Sequence, residues 1–340
     1  NDIDEIEPDA KVLVQEYIHR PLLLQERKFD LRIYVLVTSF EPLRAYTYDQ
    51  GLCRFATQPY APPSADDVGS RSAHLTNYSI NKHDKTYIAN EDAEEDGVGH
   101  KWSLAACYRA LSEKGIDVAA LRKRVDALLA KTLIAAQPHV SQKYGQLFRR
   151  RNACFELFGF DVMLDADVKP WLIEVNVSPD LASTSPLDRQ LKGTLAADTL
   201  HLVGVKAPQP LCDAASDRCA TSRMGGNGVV PGPPTPHDTE PPMFARQFHN
   251  GRHHSELQHT PFANLQQDEL NLLVETEEEW SRASSTGFRR IYPPTSASMQ
   301  ERLSKLFEVS RYADQLTLAY AKRGSGRLDE LNHALANLGR

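Results

Sequence analysis

Residues 1–205 of this 340-residue sequence predict an α+β fold, and three observations carry that reading. Segments rich in Val, Ile, Tyr, Leu and Phe come in neighbouring pairs joined by short turn signals, as antiparallel strands do. Between the pairs lie two long stretches with apolar residues at helical spacing. After Lys206 the composition changes to Pro, Gly, Ser, Asp and His.

Taken in order, Val12–Ile18, Leu31–Phe40 and Arg44–Phe55 read as strands. Glu41-Pro42 joins the latter two, and Asp49-Gln50-Gly51 reads as a turn within the last. The Pro-rich stretch Tyr60–Ala73 reads as a surface loop. Helices are expected at Trp102–Lys114, punctuated by Gly115, and at Val118–Ala136, closed by Pro138. Two further strands, Phe155–Leu164 and Trp171–Val177, flank the turn Asp165-Ala166-Asp167. Ser185-Pro186 supplies an N-cap and a first-turn proline for a helix to about Val203. Residues 206–262 bury too little apolar surface to offset their ordering entropy and read as a disordered linker. Residues 263–340 form a C-terminal extension with short helices at Leu265–Arg282 and Ser298–Lys322, without a visible core partner. No internal repeat is found.

Composition excludes some classes. No apolar run approaches the roughly 20 residues that span a bilayer, so no membrane partner is expected. The N-terminus shows no basic and apolar leader pattern. Five scattered Cys without a CxxC pair favour reduced thiols over disulfides or zinc. A net charge of −6 argues against a nucleic-acid partner. Neither GxxxxGK[ST] nor GxGxxG occurs, which disfavours P-loop and dinucleotide folds.

The second hairpin carries the clearest chemistry. A turn centred between Asp167 and Val168 sets Asp161 opposite Glu174, and Asn176 shares the strand face of Glu174. Directly opposed carboxylates destabilise a sheet unless a cation compensates. Two carboxylates and an amide oxygen make a hard-oxygen set suited to Mg²⁺. The alternative is a solvated hairpin face, against which the flanking Phe155, Phe158, Phe160, Trp171, Ile173 and Val175 look like a core strand pair. Lys28, Asp30 and Arg32 share one strand face, with Phe29, Leu31 and Ile33 on the other. Alone that is an exposed polar face; beside a phosphate–metal candidate it supplies charge for a transferring phosphoryl group. His74-Leu75-Thr76-Asn77 and Arg54 carry the same ambiguity, a polar turn and a strand end or contacts to an anion.

These residues resemble the tubulin tyrosine ligase-like family, whose catalytic core is an ATP-grasp fold. The matching blocks are Gln15-Glu16-Tyr17-Ile18 with Pro21-Leu22-Leu23, Lys28 to Val35, Gly51 to Ala56, His74 to Ser79, Asn81-Lys82 and Lys101-Trp102. Cys154 to Asp161 and Lys169 to Pro179 complete the set, which covers about residues 12–205 in the family's order. Phe29–Pro42 and Pro186–Gly204 look most like the polyglutamylase subgroup.

The resemblance implies roles. Gln15, Glu16, Tyr17 and Ile18 match the adenine-pocket segment. Lys28, Asp30 and Arg32 match nucleotide and phosphate contacts, and Arg54 a cation near the γ-phosphate or acceptor. His74, Leu75, Thr76 and Asn77 match a loop touching the nucleotide. Asp161, Glu174 and Asn176 match the Mg²⁺ ligands, and Ile173 a packing contact to the nucleotide, although strict alternation points it away from the metal face. It also implies that ATP phosphorylates a glutamate side chain of tubulin or a similar acidic protein, and that the amine of free glutamate attacks the acyl-phosphate. Lys28, Arg32 and Arg54 would be the catalytic cations. An acidic tubulin tail needs a basic docking surface, for which Arg149–Arg151 and Arg122–Arg124 are candidates by charge. Cytoplasm and cytoskeleton, with cilium, flagellum or basal body, are the implied locations.

Two departures qualify this. The family uses an N-terminal domain and an upstream Lys that nothing before Val12 supplies, so truncation is expected. Beyond Lys206 only Glu277–Pro294 is faintly similar to a segment following the core in one subgroup. Glycine or tyrosine ligation, or a catalytically incomplete binding fragment, are the alternatives.

Overall fold

Alternation along one long strand organises the molecule. In the computed structural model, which describes residues 7, 11–12, 14–63, 71–90, 96–147, 154–183, 185–205, 260–307 and 311–338, that strand is β2 (Arg27–Phe40). It pairs on one side with β3 (Leu43–Phe55) and on the other with β5 (Glu156–Leu164). With β4 (Lys101–Ser103) and β6 (Pro170–Val177) the sheet order is β4-β3-β2-β5-β6. The two-residue β1 (Leu23–Leu24) pairs with β2, and β7 (Phe288–Tyr292) pairs with β3. All these pairings are antiparallel. With the helices below, the fold is α+β.

Odd-numbered residues of β2, from Phe29 to Val37, enter one apolar core. Helices α3 (Leu104–Glu113) and α4 (Val118–Leu147) close it, with Leu121, Val125, Leu129 and Leu133 at successive turns of α4. Truncating a buried leucine such as Leu129 would cost about 2–5 kcal/mol. Even-numbered Tyr34 and Leu36 enter a second core on the opposite face. There they meet α5 (Pro186–Val203), α6 (Gln267–Ala283), α8 (Tyr312–Lys322) and α9 (Leu328–Leu338). A short α7 (Ala297–Ser304), one-turn helices α1 (Arg71–His74) and α2 (Tyr78–Asn81) and a 3-10 turn at Phe262–Asn264 complete the described elements. Neither Asp30 nor Arg32 joins the second core, whose nearest member on this face is Leu52, opposite Arg32.

Several sequence expectations change. Val12 and residues 14–18 form no strand, since no described neighbour offers them a ladder; Val12 and Val14 are exposed. Asp49-Gln50-Gly51 is not a hairpin turn but a bulge inside continuous β3, where the register shifts between Ile33 and Val35. Gly51 is needed there: a Cβ would stand 2.5 Å from the Arg32 carbonyl oxygen. Trp102 lies in β4, and α3 starts only after Ser103, whose hydroxyl accepts from Ala106 N and caps the helix. Residues 71–73 of the expected loop belong to α1, while residues 64–70 lie outside the described set.

Pro138 does not end α4, which runs through it. An interior proline costs about 3 kcal/mol. Bonds from Gln137 to the Phe40 carbonyl (2.9 Å) and Asp314 (3.0 Å), and from Ser141 to the same carbonyl (3.0 Å), tie the helix on both sides of it. The region after residue 260 does have a core partner. β7 lengthens the sheet, and Leu270, Leu273, Trp280, Leu316 and Tyr320 join the second core. Its periodicity is local, whereas its partners lie far upstream, as in the contact of Arg282 with the Leu202 carbonyl across 80 residues, so the sequence pattern could not pair them. The expected Ser298–Lys322 helix is two helices, α7 and α8. The expected linker falls almost wholly on residues 206–259, outside the described residues. No described helix is long and apolar enough to cross a membrane.

Candidate active site

Register across five strands builds a polar face. One row runs Leu52–Arg32–Asp161–Glu174 over β3, β2, β5 and β6. The row on one side is Lys101–Arg54–Asp30, and on the other Tyr34–Gly159–Asn176. The predicted residues Asp30, Arg32, Arg54, Asp161, Glu174 and Asn176 therefore meet on one surface.

Arg32 grips Asp161 with both ends of its guanidinium, Nε to Oδ1 at 2.5 Å and Nη2 to Oδ2 at 3.1 Å. Arg54 Nη2 reaches Asp161 Oδ2 at 2.8 Å. The same Arg54 donates to both oxygens of Asp30, with Nε to Oδ1 at 2.9 Å. Gly159 makes room for this, because a Cβ there would lie 3.2 Å from Arg32 Cδ and 2.9 Å from Pro179 Cβ. Burial alone would push the Asp161 carboxyl up, but the bonds and charges of Arg32 and Arg54 outweigh it and hold it below its ordinary value. Burial likewise opposes the charge on Arg54, and Asp30 and Asp161 overcome that and raise it.

The expected opposition of Asp161 and Glu174 is present. The reason given for it needs two corrections. The turn is centred on Asp167, since Leu164 pairs with Pro170, and an extra residue on β6, Ile173, restores the register before Glu174. That bulge breaks strict alternation, so Ile173 and Glu174 are both exposed. The flanks are also less core-like than expected: Trp171 and Ile173 are exposed on the edge strand β6, and Phe155 is exposed just before β5 begins.

Asp161 is not an uncompensated carboxylate, because two guanidiniums already neutralise it. Its oxygens nonetheless keep acceptor capacity beyond these bonds. Glu174 is exposed and takes one bond from Asn176 Nδ2, at 3.0 Å to Oε1. Two carboxylates and an amide thus fit a hard divalent cation. Among the described residues no group of three or more His, Cys, Asp or Glu forms a metal cluster.

Two cavities flank this row. The first, about 370 Å³, is lined by Gln15 to Arg20 together with Asp165, Trp171, Leu172 and Ile173. It unites Gln15, Glu16, Tyr17, Ile18 and Ile173, which lie far apart in the chain. Lys28 Nζ stands 4.9 Å over the Tyr17 ring, and burial lowers its pKa. The Tyr17 hydroxyl bonds His74 Nδ1 at 3.0 Å. Asn81 holds the following loop by donating to the Phe55 and Leu75 carbonyls (3.1 and 3.0 Å). Thr76 is buried in that loop.

The second cavity, about 230 Å³, is polar and touches Arg32, Arg54, Asn77, Glu174 and Asn176. It also brings in Tyr78, Lys101, Asp180, Asp188 and Lys192, which sequence reasoning had not assigned. Lys101 Nζ bonds Asp188 at 2.8 Å and lies 4.3 Å over the Tyr78 ring. Lys192 Nζ donates to the Ala182 carbonyl at 2.5 Å, and burial lowers its pKa. The signal was faint: Asp188 and Lys192 are four apart on α5, and Lys101 follows a glycine-rich stretch. Of the basic clusters read as docking candidates, Arg149–Arg151 lies outside the described residues, and Arg122 is paired with Asp49.

Comparison with known proteins bears on the family of the chain. The chain is 38% identical to human Tubulin monoglutamylase TTLL4 over 320 residues, 93% of the chain and 26% of that protein. It is 42% identical to human Tubulin polyglutamylase TTLL5 over 210 residues, 62% of the chain and 16% of the relative. A probable beta-tubulin polyglutamylase of Tetrahymena thermophila is 40% identical over 204 residues, 59% of the chain and 17% of the relative. The chain thus spans about a quarter or less of the length of these relatives. Residues 1–211 match the Tubulin-tyrosine ligase family as a whole, so the chain belongs to that family.

Proposed function

We propose that this chain carries the catalytic residues of an ATP-dependent ligase, on an ATP-grasp type of fold, that joins glutamate to a glutamate side chain of tubulin or a similar acidic protein. The observation that carries it is the Arg54–Asp161–Arg32 network lying between a cavity bordered by Tyr17 and Ile173 and a polar cavity bordered by Lys101 and Lys192. The first suits a nucleotide base, with Lys28, Asp30, His74, Leu75, Thr76 and Asn77 beside or beyond it. The second suits a free amino acid, whose carboxylates would meet Lys101 or Lys192 and whose amine would meet Asp180 or Asp188.

In this reading the acceptor carboxylate attacks the γ-phosphorus and ADP leaves. The free amine then attacks the acyl carbon, a C–N bond forms, phosphate departs and the amine sheds a proton. Arg32, Arg54 and Lys28 offset negative charge on the phosphoryl oxygens, and their contribution is chiefly positioning. Asp161, Glu174 and Asn176 would hold Mg²⁺, which supplies further charge neutralisation when bound. Tubulin's acidic tails, free glutamate and a cytoskeletal location, in cilia or basal bodies among others, follow from this reading.

The test is incubation of the protein with microtubules, ATP, Mg²⁺ and labelled glutamate, glycine or tyrosine. Incorporation of glutamate is the expected result. Glycine or tyrosine alone would reassign the donor. No incorporation, with calorimetry showing no nucleotide binding, would reduce the chain to a binding fragment.

A further inference from the structure

The hydrogen bonds around Asp161 bear on how a cation could be taken up. Arg32 occupies both of its oxygens, and Arg54 adds a third bond. Asp30 anchors Arg54 from the far side. The missing side chain of Gly159 lets Arg32 pass close to β5, and its two bonds to Asp161 hold the guanidinium there. Asp30, Asp161 and Glu174 against Arg32 and Arg54 make three negative and two positive groups, one net negative charge.

A divalent cation on Asp161 would share its oxygens with two fixed guanidiniums, and like charges at such range repel. Polyphosphate oxygens would reverse the balance, because they accept from guanidinium groups bidentately and bring several negative charges. We infer that Arg32 makes cation uptake conditional on a polyanion: Asp161, Glu174 and Asn176 take a divalent cation together with a polyphosphate and not alone. This rests on the reading above that these three residues hold the metal. It adds to that reading a role for Arg32 as the positioning residue that sets the order.

The experiment is a titration of the protein with Mn²⁺, following the free ion by electron paramagnetic resonance, without nucleotide and with a non-hydrolysable ATP analogue. The wild type is expected to take up Mn²⁺ only with the analogue. Arg32→Leu is expected to bind Mn²⁺ unaided, roughly tenfold more tightly than the wild type. Adding Asp161→Asn to it should abolish that gain. Unaided uptake by the wild type as tight as by Arg32→Leu overturns the inference, as does an Arg32→Leu that gains nothing. If circular dichroism shows Arg32→Leu unfolded, Arg32→Lys decides. It loses the two-pronged grip and keeps the charge, and a gain of about threefold is expected; no gain overturns the inference. Glutamate ligation by a wild type that binds Mn²⁺ unaided would sink this inference and leave the proposed function standing. A gain in Arg32→Leu with no glutamate ligation by the wild type would do the reverse.

Discussion

Two arginine–carboxylate clusters sit on the same face of the sheet, one at each end: in the open one both arginines line a cavity, and in the closed one Tyr46, which donates to the buried carboxylate, borders another of about 400 Å³. At the closed end Arg44 is 1% exposed and faces Glu279 at 3.4 Å. Thr276 accepts from Arg44 at 3.2 Å, while Thr38 and Tyr46 donate to Glu279 at 2.7 and 2.6 Å. At the open end Arg32, Arg54, Asp30 and Asp161 form a similar network, but Glu174 beside it is exposed and a cavity adjoins it. A buried ion pair therefore does not by itself mark a functional site. The closed cluster finds its partners among its own elements and holds α6 to β2 and β3. The open one keeps acceptors facing solvent, which is what a ligand needs.

The sharpest way to break this contrast is Arg44→Met. Leaving Glu279 buried without its cation should cost about 3–5 kcal/mol in denaturant unfolding. A loss under about 1 kcal/mol would mean that the closed cluster does not hold the C-terminal helices in place.

Asp314 tests the same region by pH. Burial, only partly offset by bonds from Leu43 N and Gln137, pushes its pKa up to about 6. A carboxyl raised in the folded state loses stability as pH rises from the unfolded value towards the folded one. The stability of the wild type relative to Asp314→Asn should therefore fall by about 2 kcal/mol between pH 4 and pH 7. A flat difference would show that the carboxyl titrates normally.

Glu174→Gln sharpens the open end. Labelled-glutamate incorporation should drop about a hundredfold. Unfolding free energy should stay within about 0.5 kcal/mol, since the side chain is exposed. Unchanged turnover would remove Glu174 from the proposed metal ligands. The smallest effect is expected of Ile173→Ala, which trims one wall of the larger cavity: calorimetry should show nucleotide binding weakened by roughly threefold, with stability unchanged.

Much of this layout was legible in the residues. Period-two alternation separated Lys28, Asp30 and Arg32 from Phe29, Leu31 and Ile33, and hairpin arithmetic paired Asp161 with Glu174. Gln15 to Ile18 and His74 to Asn77 entered only through resemblance to a family, since nothing in their own spacing leads from those segments to a cavity wall. The bulge at Ile173 was hidden, because an extra residue in a strand leaves no mark on composition. The hairpin pairing came out right only because that extra residue compensated a turn centre placed half a residue late.

What the sequence determined by itself is what repeats locally: which residues share a strand face, where Ser185 starts a helix, and which carboxylates oppose each other across a turn. Only the tertiary structure decided the partners. Arg32 meets Asp161 across 129 residues, and Thr38 meets Glu279 across 241. Periodicity decays within one element, while the burial of both sheet faces brings such distant groups together. That is why the opposition of Asp161 and Glu174 could be read from the chain, and the pairing of Asp161 with Arg32 and Arg54 could not.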